Sequence, residues 1–150
     1  MWAARRRLCA SVELTITMTS KVSTASFRVR RSKTGLGLFA TEVIEKGSFI
    51  IEYNGPRITN NEVERRSNTR YLFTVNSRWT VDGSPRWNIA RYINHSCRPN
   101  AEAVISRGRI RIIARKRIRP GEEIAYHYGK SYFDTFIGPK GCRCIKCDVR

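Results

Sequence analysis

The chain has 150 residues, a length that suits one domain with a single hydrophobic core and is too short for two ordinary domains. Its 29 lysines and arginines outnumber 12 acidic residues, and the formal net charge of +17 favours contact with acidic partners. The longest apolar runs fall far short of the about 20 residues that a membrane-spanning helix needs, so the sequence predicts a soluble protein.

Residues 1–25 are predicted to form a loose N-terminal arm. Arg5, small or hydroxylated residues and one acid, Glu13, are compatible with an organelle-targeting presequence. In the alternative interpretation, Met18 is the true start and a basic lead-in follows it. A small-residue cleavage site after a long apolar core, as secretion requires, is absent from the sequence. We therefore expect an intracellular protein, cytoplasmic or nuclear and chromatin-associated, and organelle targeting is the less favoured alternative.

After this arm, short strands and turns alternate along the chain. β-Branched and aromatic residues predict strands in four places, 26–30, 48–53, 71–75 and 78–82. Between the second and the third, the sequence TNNE beginning at Thr59 offers a capping box, which predicts a helix. A short turn of helix is expected at 88–94, and these are the only two helical stretches that the sequence predicts.

Residues 101–114 are predicted to form a β-hairpin. AEAVIS and RIRIIA flank Arg107-Gly108, where glycine supplies the positive φ of a tight two-residue turn. Alternation along the second strand places Arg107, Arg109 and Arg111 on one face and the isoleucines on the other. That basic face is either solvated or a contact for nucleic acid. The class predicted for the whole chain is mostly β, with no internal repeat or linker after the arm.

Five cysteines suggest a metal site better than a disulfide framework, because their number is odd and three of them are clustered near the C-terminus. Tetrahedral zinc usually takes four ligands. The three clustered thiols are Cys142, Cys144 and Cys147, and Cys97 in NHSCRPN is the candidate fourth. The alternative for Cys97 is a small buried core thiol.

Several motifs, taken in order from about residue 26 to the C-terminus, resemble those of the SET-domain lysine methyltransferases. The similar segments are KTGLGLFA at 33–40, IIEYNG at 50–55, NIARYINHSCRPNA at 88–101, RIRPGEEIAYHYG at 117–129 and the tail CRCIKC at 142–147. They correspond to the family's glycine motif, glutamate-tyrosine strand, signature, closing tyrosine motif and zinc-binding tail. Their occurrence in the family's order makes the resemblance specific.

The resemblance implies a SET domain at 26–137 and a post-SET zinc-binding tail at 138–150. It implies a fold of small curved sheets in which the C-terminal segment passes beneath a loop, a knot-like arrangement. In that family the fourth zinc thiolate comes from the signature cysteine, here Cys97. The tail departs from the more common pattern, because only Ile145 and Lys146 separate its last two cysteines. The insert between Tyr53 and Tyr71 is short, which implies a small substrate groove.

By resemblance, the cofactor is S-adenosylmethionine and the substrate is a lysine that enters a narrow aromatic channel. Tyr128 is then the catalytic hydroxyl, and Tyr53 and Tyr126 line the channel. Tyr132 and Phe133 close it from the C-terminal side. Core packing is the alternative for each of these aromatic residues.

The resemblance also assigns cofactor contacts, which are Lys33, Thr34, Leu36, Tyr71, Arg91, Asn94 and His95. A carboxamide such as that of Asn94 can both donate to and accept from the methionine moiety. The ring of His95 is expected to be structural, although a general-base role is the alternative. His127 occupies a position that often holds aspartate in the family.

These motifs predict a protein-lysine N-methyltransferase whose substrate is a histone, a histone-like protein or another protein. The Tyr126 hydroxyl restricts the space that a methylated amine needs, which predicts chiefly monomethylation. The competing hypothesis is a zinc-stabilised basic module that has kept the fold without catalysis and binds nucleic acid or a nucleoprotein.

Overall fold

A computed structural model describes residues 26–148, so the predicted arm at 1–25 lies outside the described residues. Within this range the fold is mostly β, with ten short strands in three small sheets. The strands are β1 (Phe27–Ser32), β2 (Gly35–Ala40), β3 (Phe49–Tyr53), β4 (Arg57–Thr59), β5 (Leu72–Thr74), β6 (Trp79–Asp82), β7 (Asn94–His95), β8 (Ala101–Ser106), β9 (Arg109–Ala114) and β10 (Glu123–Tyr126). The predicted fold class is confirmed.

The three sheets have the strand orders β1-β2-β10-β7, β3-β9-β8 and β4-β6-β5. All pairings are antiparallel except that of β10 with β7, which are parallel and pair Ala125 with Asn94 and Tyr126 with His95. Because β10 lies between β2 and β7, three segments that are far apart in sequence meet in one sheet. This sheet carries most of the motifs singled out above.

The predicted hairpin is confirmed as β8 and β9, with Arg107 and Gly108 in the turn at φ values of 49° and 72°. Two positive φ values in succession are the requirement of the tight turn that matches strand twist. Alternation along β9 buries Ile110 and Ile112 and exposes Arg109 and Arg111. The isoleucines therefore belong to the core and the arginines to the surface.

The core consists of apolar side chains from all three sheets and from the segments between them. Its fully buried aliphatic members are Leu38, Ile93, Ile110, Ile112, Ile118 and Ile124. Burying each such side chain stabilises the fold by about 1.5–3 kcal/mol relative to leaving it exposed. Tyr53 and Tyr126, each 6% exposed, pack at one side of this core.

Both predicted helical stretches are confirmed. Helix α1 (Asn60–Glu64) begins with the capping box, in which the Thr59 amide donates to Glu62 Oε2 at 2.7 Å and the Glu62 amide donates to Thr59 Oγ1 at 3.3 Å. A short 3₁₀ helix spans Ile89–Tyr92. In the described part of the chain, no helix combines the length and apolar character needed to cross a membrane.

The prediction that only two stretches are helical was wrong. Three short helical segments follow one another near the C-terminus: α2 (Lys130–Tyr132), a π-helical turn (Phe133–Ile137) and a 3₁₀ turn (Gly138–Lys140). Contacts between residues four apart hold this run together, because the rings of Tyr132 and Phe136 lie 4.7 Å apart and Thr135 Oγ1 donates to the Ser131 carbonyl at 2.9 Å. The threading of the C-terminal segment beneath a loop stays a prediction.

Candidate active site and metal centre

Tyr128 follows β10 and lies where the signature segment and the helical run meet. Its hydroxyl donates to the Ile93 carbonyl at 2.6 Å, and its amide donates to His95 Nδ1 at 3.3 Å. The ring is 5.0 Å from that of Tyr126 and 4.9 Å from that of Tyr132. The parallel pairing of β7 with β10 contributes to this arrangement, because it brings the end of β10, and with it Tyr128, beside His95.

A cavity of about 400 Å³, which we name the tyrosine cavity, lies on one side of Tyr128. Its aromatic lining residues are Tyr53, Tyr71, Phe73, Tyr126, Tyr128, Tyr132 and Phe136. The Tyr53 hydroxyl donates to the Tyr71 carbonyl at 2.8 Å, whereas the Tyr126 hydroxyl makes no hydrogen bond with the described residues. The cavity therefore offers the Tyr126 hydroxyl as a group that is uncommitted within the described part of the protein.

Three buried tyrosine hydroxyls of this cavity, those of Tyr53, Tyr126 and Tyr128, stay neutral. Burial is the main cause that raises the pKa of Tyr53, Tyr126 and Tyr128 well above the ordinary value of about 10, and the neighbouring tyrosines add to it. Hydroxyl groups of this kind donate and accept hydrogen bonds at neutral pH. They do not act as anionic bases there.

The predicted channel residue Phe133 does not line the tyrosine cavity. Its ring lies instead 5.4 Å from the ring of His95 and 6.1 Å from that of His127. The π-helical turn that begins at Phe133 changes the spacing of the following side chains, and Phe136 takes the place in the cavity beside Tyr132. Sequence reasoning missed Phe136, although its spacing of four residues from Tyr132 was a usable signal.

A second cavity, of about 490 Å³, lies between the signature segment and the C-terminal tail, and we name it the tail cavity. Six of the seven residues predicted to contact the cofactor line it: Thr34, Leu36, Tyr71, Arg91, Asn94 and His95. The seventh, Lys33, lines a neighbouring cavity of about 770 Å³, and its ammonium group pairs with Asp148 at 3.2 Å. The two cavities adjoin, because Thr34, Asn94 and His95 line both of them, and Lys33 alone of the seven is confined to the larger one.

The tyrosine cavity and the tail cavity have several walls in common, namely Arg70, Tyr71, Arg91, Tyr128, Tyr132 and Phe136. They are therefore adjacent, and Tyr128 belongs to both. An arrangement of this kind lets two different molecules approach each other from separate entrances.

Arg91 is held tightly but keeps one donor unused. Its guanidinium carbon lies 4.1 Å from the ring centroid of Tyr71, and Nη1 donates to the Ser84 carbonyl. The Nε–H group is buried and has no partner among the described residues. Because buried donors are normally hydrogen-bonded, this atom fits a polar ligand that is bound in the adjoining cavity.

Asn94 is oriented by a carboxylate that sequence reasoning missed. Its Nδ2 donates to Glu123 Oε1 at 2.6 Å and to the Leu36 carbonyl at 3.0 Å, so both amide hydrogens are used within the protein. Ser32 Oγ donates to the other oxygen of Glu123 at 2.9 Å. Only Oδ1 of Asn94 remains for a ligand, and it can accept but not donate. The signal for Glu123 was its place in GEEI, directly beside the tyrosine motif.

The ring of His95 is surrounded by packed groups. Burial, and next the neighbouring His127, lower the pKa of His95 to about 4. The neutral ring accepts from the Tyr128 amide through Nδ1, and its Nε2 lies 3.4 Å from Cys97 Sγ. His127 stacks edge-on against it, with ring centroids 4.8 Å apart. This environment fits a structural ring better than a general base.

The four cysteines singled out in the sequence come together. The sulfur atoms of Cys97, Cys142, Cys144 and Cys147 all lie within 4.8 Å of one another, and those of Cys97 and Cys142 are 3.7 Å apart. Zinc at about 2.3 Å from each thiolate separates the sulfurs of a tetrahedron by roughly 3.8 Å, so the cluster fits such an ion. The fifth cysteine, Cys9, lies outside the described residues.

The thiols of the cluster differ in acidity. Burial opposes the ionisation of Cys144, but hydrogen bonds from the backbone amides of Cys97 and Cys147 outweigh burial and lower its pKa to about 6. Burial and then the neighbouring thiols raise the pKa of Cys97 to about 12. Because metal binding requires thiolates, an ion that binds here displaces protons and does so most easily at Cys144.

Comparison with known proteins agrees with this geometry. A family model described as the SET domain matches residues 35–129, which is more than half of the chain. The chain therefore belongs to the SET-domain family. The described cysteine cluster at its C-terminus supports a post-SET zinc-binding tail.

Among curated proteins, histone-lysine N-methyltransferase ASHH1 of Arabidopsis thaliana is 37% identical over 123 residues, which cover 74% of this chain and 24% of the relative. Histone-lysine N-methyltransferase Set2 of Drosophila melanogaster is 40% identical over 133 residues, covering 81% of this chain and 6% of the relative. Histone-lysine N-methyltransferase ASHH3 of Arabidopsis thaliana is 34% identical over 131 residues, which cover 77% of this chain and 36% of the relative. The chain thus spans a small part of the length of these relatives.

Proposed function

We propose that the chain is a protein-lysine N-methyltransferase that uses S-adenosylmethionine. The observation that carries this proposal is the pair of adjacent cavities with Tyr128 in their common wall. The tail cavity would hold the cofactor and the tyrosine cavity would hold the substrate lysine. The names of the relatives support the same reaction class.

The groups that line the tail cavity fit the polar parts of the cofactor. Oδ1 of Asn94 can accept from an ammonium group, and the buried Nε of Arg91 can donate to an oxygen. When bound, S-adenosylmethionine supplies a methyl group on a positively charged sulfonium. The residues of this chain then have to bind it and to present the amine.

The tyrosine cavity favours the neutral form of a lysine. A free lysine has a pKa near 10.4, and transfer requires the unprotonated amine. The aromatic walls remove water from the amine, and the nearby guanidinium of Arg91 repels its charged form. Both effects lower the lysine pKa. The Tyr128 hydroxyl, fixed by the Ile93 carbonyl, would position the amine rather than attack.

The direct test is transfer of labelled methyl to proteins or peptides by the purified chain. We expect Tyr128→Phe to lower the rate at least about 100-fold, because alignment supplies much of the rate, while the fold and cofactor binding persist. Calorimetry of cofactor binding and circular dichroism serve as controls. A chain that is folded yet binds no S-adenosylmethionine would contradict the proposal.

We also propose that the enzyme chiefly monomethylates its substrate. The Tyr126 hydroxyl is uncommitted inside the cavity, where it can hold the amine or a water and occupy the space of a second methyl. Tyr126→Phe should therefore shift the product towards di- or trimethyllysine. Mass spectrometry of intact peptides over a long time course measures this, and efficient trimethylation by the unmutated chain would contradict it.

The remaining assignments follow from the same proposal. Zinc bound by the four clustered cysteines would be structural, with a SET domain at 26–137 and the zinc tail at 138–150. Histones or histone-like proteins are the first substrates to test, because the relatives are named for histone lysines. Such a substrate would place the protein on chromatin.

A second candidate function is nucleic-acid binding without catalysis, and the net charge of +17 favours it. The hairpin arginines support it less, because Arg109 lies 3.7 Å from Glu52 and Arg111 stacks on the Phe49 ring. Salt-dependent binding of DNA together with no methyl transfer on any protein would favour this second function.

A further inference from the structure

Positive charge borders the tyrosine cavity. Its lining includes Arg70 and Arg91 and no carboxylate. Arg70 directly precedes Tyr71, and its carbonyl accepts from the Tyr132 hydroxyl at 3.1 Å. Arg70 is exposed and lines the cavity, so its charge is accessible from solvent beside it. Burial raises the pKa of Tyr132, and the positive charge of Arg70 opposes that rise, as expected for a cation close to the ring.

A polar cleft of about 360 Å³ continues this surface, since Tyr71 lines both the cleft and the tyrosine cavity. Arg65 and Arg66 also line the cleft, and its one carboxylate is that of Asp82. We name the four arginines Arg65, Arg66, Arg70 and Arg91 the arginine rim.

The Asp82 carboxylate does not leave a free negative charge beside the rim. Its Oδ2 pairs with Arg66 Nη1, and its Oδ1 accepts from the Ser84 amide at 2.9 Å. On the helical side of the cavity, the carboxylate of Asp134 pairs with Lys130 at 2.5 Å.

Glu62 lies close to two arginines of the rim, because hydrogen bonds with Thr59 and, next, the charges of Arg66 and Arg65 lower the pKa of its carboxyl. A substrate that approaches the cavity therefore meets chiefly Arg70 and Arg91, which form no ion pair with a carboxylate of the described residues.

We infer that this enzyme selects lysines whose sequence neighbours are acidic, so that, in a histone-like protein or in any other substrate, it methylates an acidic segment in preference to a basic one. The inference rests on the proposed methyl transfer and adds the substrate class to it. Acidic side chains beside the target lysine would lie next to the arginine rim, where opposite charges attract at short range in partly desolvated surroundings. Arginines or lysines at the same positions would be repelled.

The test uses three peptides of equal length with one central lysine, flanked on both sides by glutamate, serine or arginine. Binding is measured by fluorescence anisotropy and methyl transfer as kcat/KM. We expect the order glutamate, serine, arginine, with about tenfold in kcat/KM between the extremes, from Coulomb interactions at a protein surface. The difference should shrink at about 0.5 M salt, where charges are screened over a few ångströms.

Two variants that change the net charge by the same amount test whether the arginine rim causes the preference for the acidic peptide. Arg70→Glu should reduce the preference for the acidic peptide at least about fivefold in both binding and kcat/KM. Arg28→Glu is the matched control, because Arg28 is an exposed arginine on β1 that lines neither the tyrosine cavity nor the cleft. It should leave the preference unchanged.

Three results would overturn the inference. Preference of the unmutated chain for the arginine-flanked peptide would contradict it and leave the proposed methyl transfer intact. Equal effects of Arg70→Glu and Arg28→Glu would show that net charge, and not the rim, sets the preference. No methylation of any peptide by a folded chain would overturn the proposed function together with this inference.

Discussion

The raised pKa of Tyr128 has a measurable consequence for the pH dependence of the reaction. Because burial keeps this hydroxyl neutral, kcat of the proposed reaction should rise about tenfold per pH unit below the pKa of the bound lysine and then level off. The pKa of Tyr128 is higher in the folded chain than in the unfolded one. The associated stability is thus complete below about pH 10 and is lost only above it.

The profile is therefore best measured between about pH 7 and 9.5, where tyrosine ionisation does not destabilise the fold. Tyr126→Phe provides a comparison in which one neighbouring hydroxyl is removed. A decline in kcat above about pH 8.5, with the fold intact, would mean that a tyrosine hydroxyl in the cavity titrates near its ordinary range. That outcome contradicts the prediction.

Loss of Glu123 should weaken binding of the proposed cofactor, although Glu123 does not line the tail cavity. Its two oxygens accept from Asn94 and Ser32, and Gly37 makes room for it, because a Cβ there would lie 2.4 Å from Glu123 Oε1. Glu123→Ala should weaken S-adenosylmethionine binding about tenfold, since a charged hydrogen bond that orients Asn94 is lost. The Michaelis constant for the cofactor should rise more than kcat falls.

Glu123→Gln should restore most of the affinity, because one amide oxygen can still accept from Asn94 while the Ser32 hydroxyl turns to accept from the amide nitrogen. Glu122→Ala is the matched control, since that carboxylate accepts from the Arg119 amide at 2.8 Å and does not contact Asn94. Calorimetric titration of the cofactor measures all three variants. Equal losses in Glu122→Ala and Glu123→Ala would reject the positioning role.

At the scale of elements, the end of β6 supports the tyrosine cavity through a close approach. A Cβ on Gly83, the residue after this strand, would lie 2.2 Å from the Tyr53 hydroxyl. Gly83→Ala should therefore displace the Tyr53 ring and destabilise the fold by about 1–3 kcal/mol, as other overpacked sites do. The melting temperature should fall by several degrees, and methyl transfer should fall with it.

Gly138→Ala is the control for this change. The nearest atom to a Cβ there is 3.4 Å away, and the residue already has a helical φ of −52°. Thermal unfolding followed by circular dichroism compares the two variants. Equal stability of Gly83→Ala and the unmutated chain would show that Tyr53 can move aside without loss.

At the scale of the whole molecule, the cysteine cluster joins the tail to the body of the fold. Cys97 belongs to the signature segment, whereas Cys142 and Cys144 belong to the tail and also line the tail cavity. Removing zinc should therefore release one wall of that cavity. We expect chelation or Cys97→Ser to lower the metal content, to speed hydrogen exchange after residue 138 and to weaken cofactor binding at least about tenfold.

Cys9→Ser should leave the metal content, the hydrogen exchange of the tail and cofactor binding unchanged, because the four clustered thiols complete a tetrahedral site without Cys9. Metal analysis of the purified chain distinguishes the variants. Undiminished, tightly bound zinc in Cys97→Ser would show that another group supplies the fourth ligand.

Local features of the fold could be predicted because each depends on short-range rules, whereas the grouping of Cys97 with the three tail cysteines was predicted from the family's pattern. The capping box at Thr59 and the two-residue turn at Arg107 and Gly108 need only neighbouring residues and their preferred dihedral angles. The cysteine spacing limits the metal to a thiolate site. Ordered motifs identified the family.

The tertiary structure alone decided which distant groups meet. Parallel pairing of β7 with β10 brings Asn94 to Glu123, and a π-helical turn exchanges Phe133 for Phe136 in the tyrosine cavity. The distribution of charge also depends on the folded structure. Composition gives only the total of +17, whereas the arginine rim depends on which carboxylates are already paired. Hydrogen bonds and ion pairs act over a few ångströms, and the chain comes to those distances only after it folds.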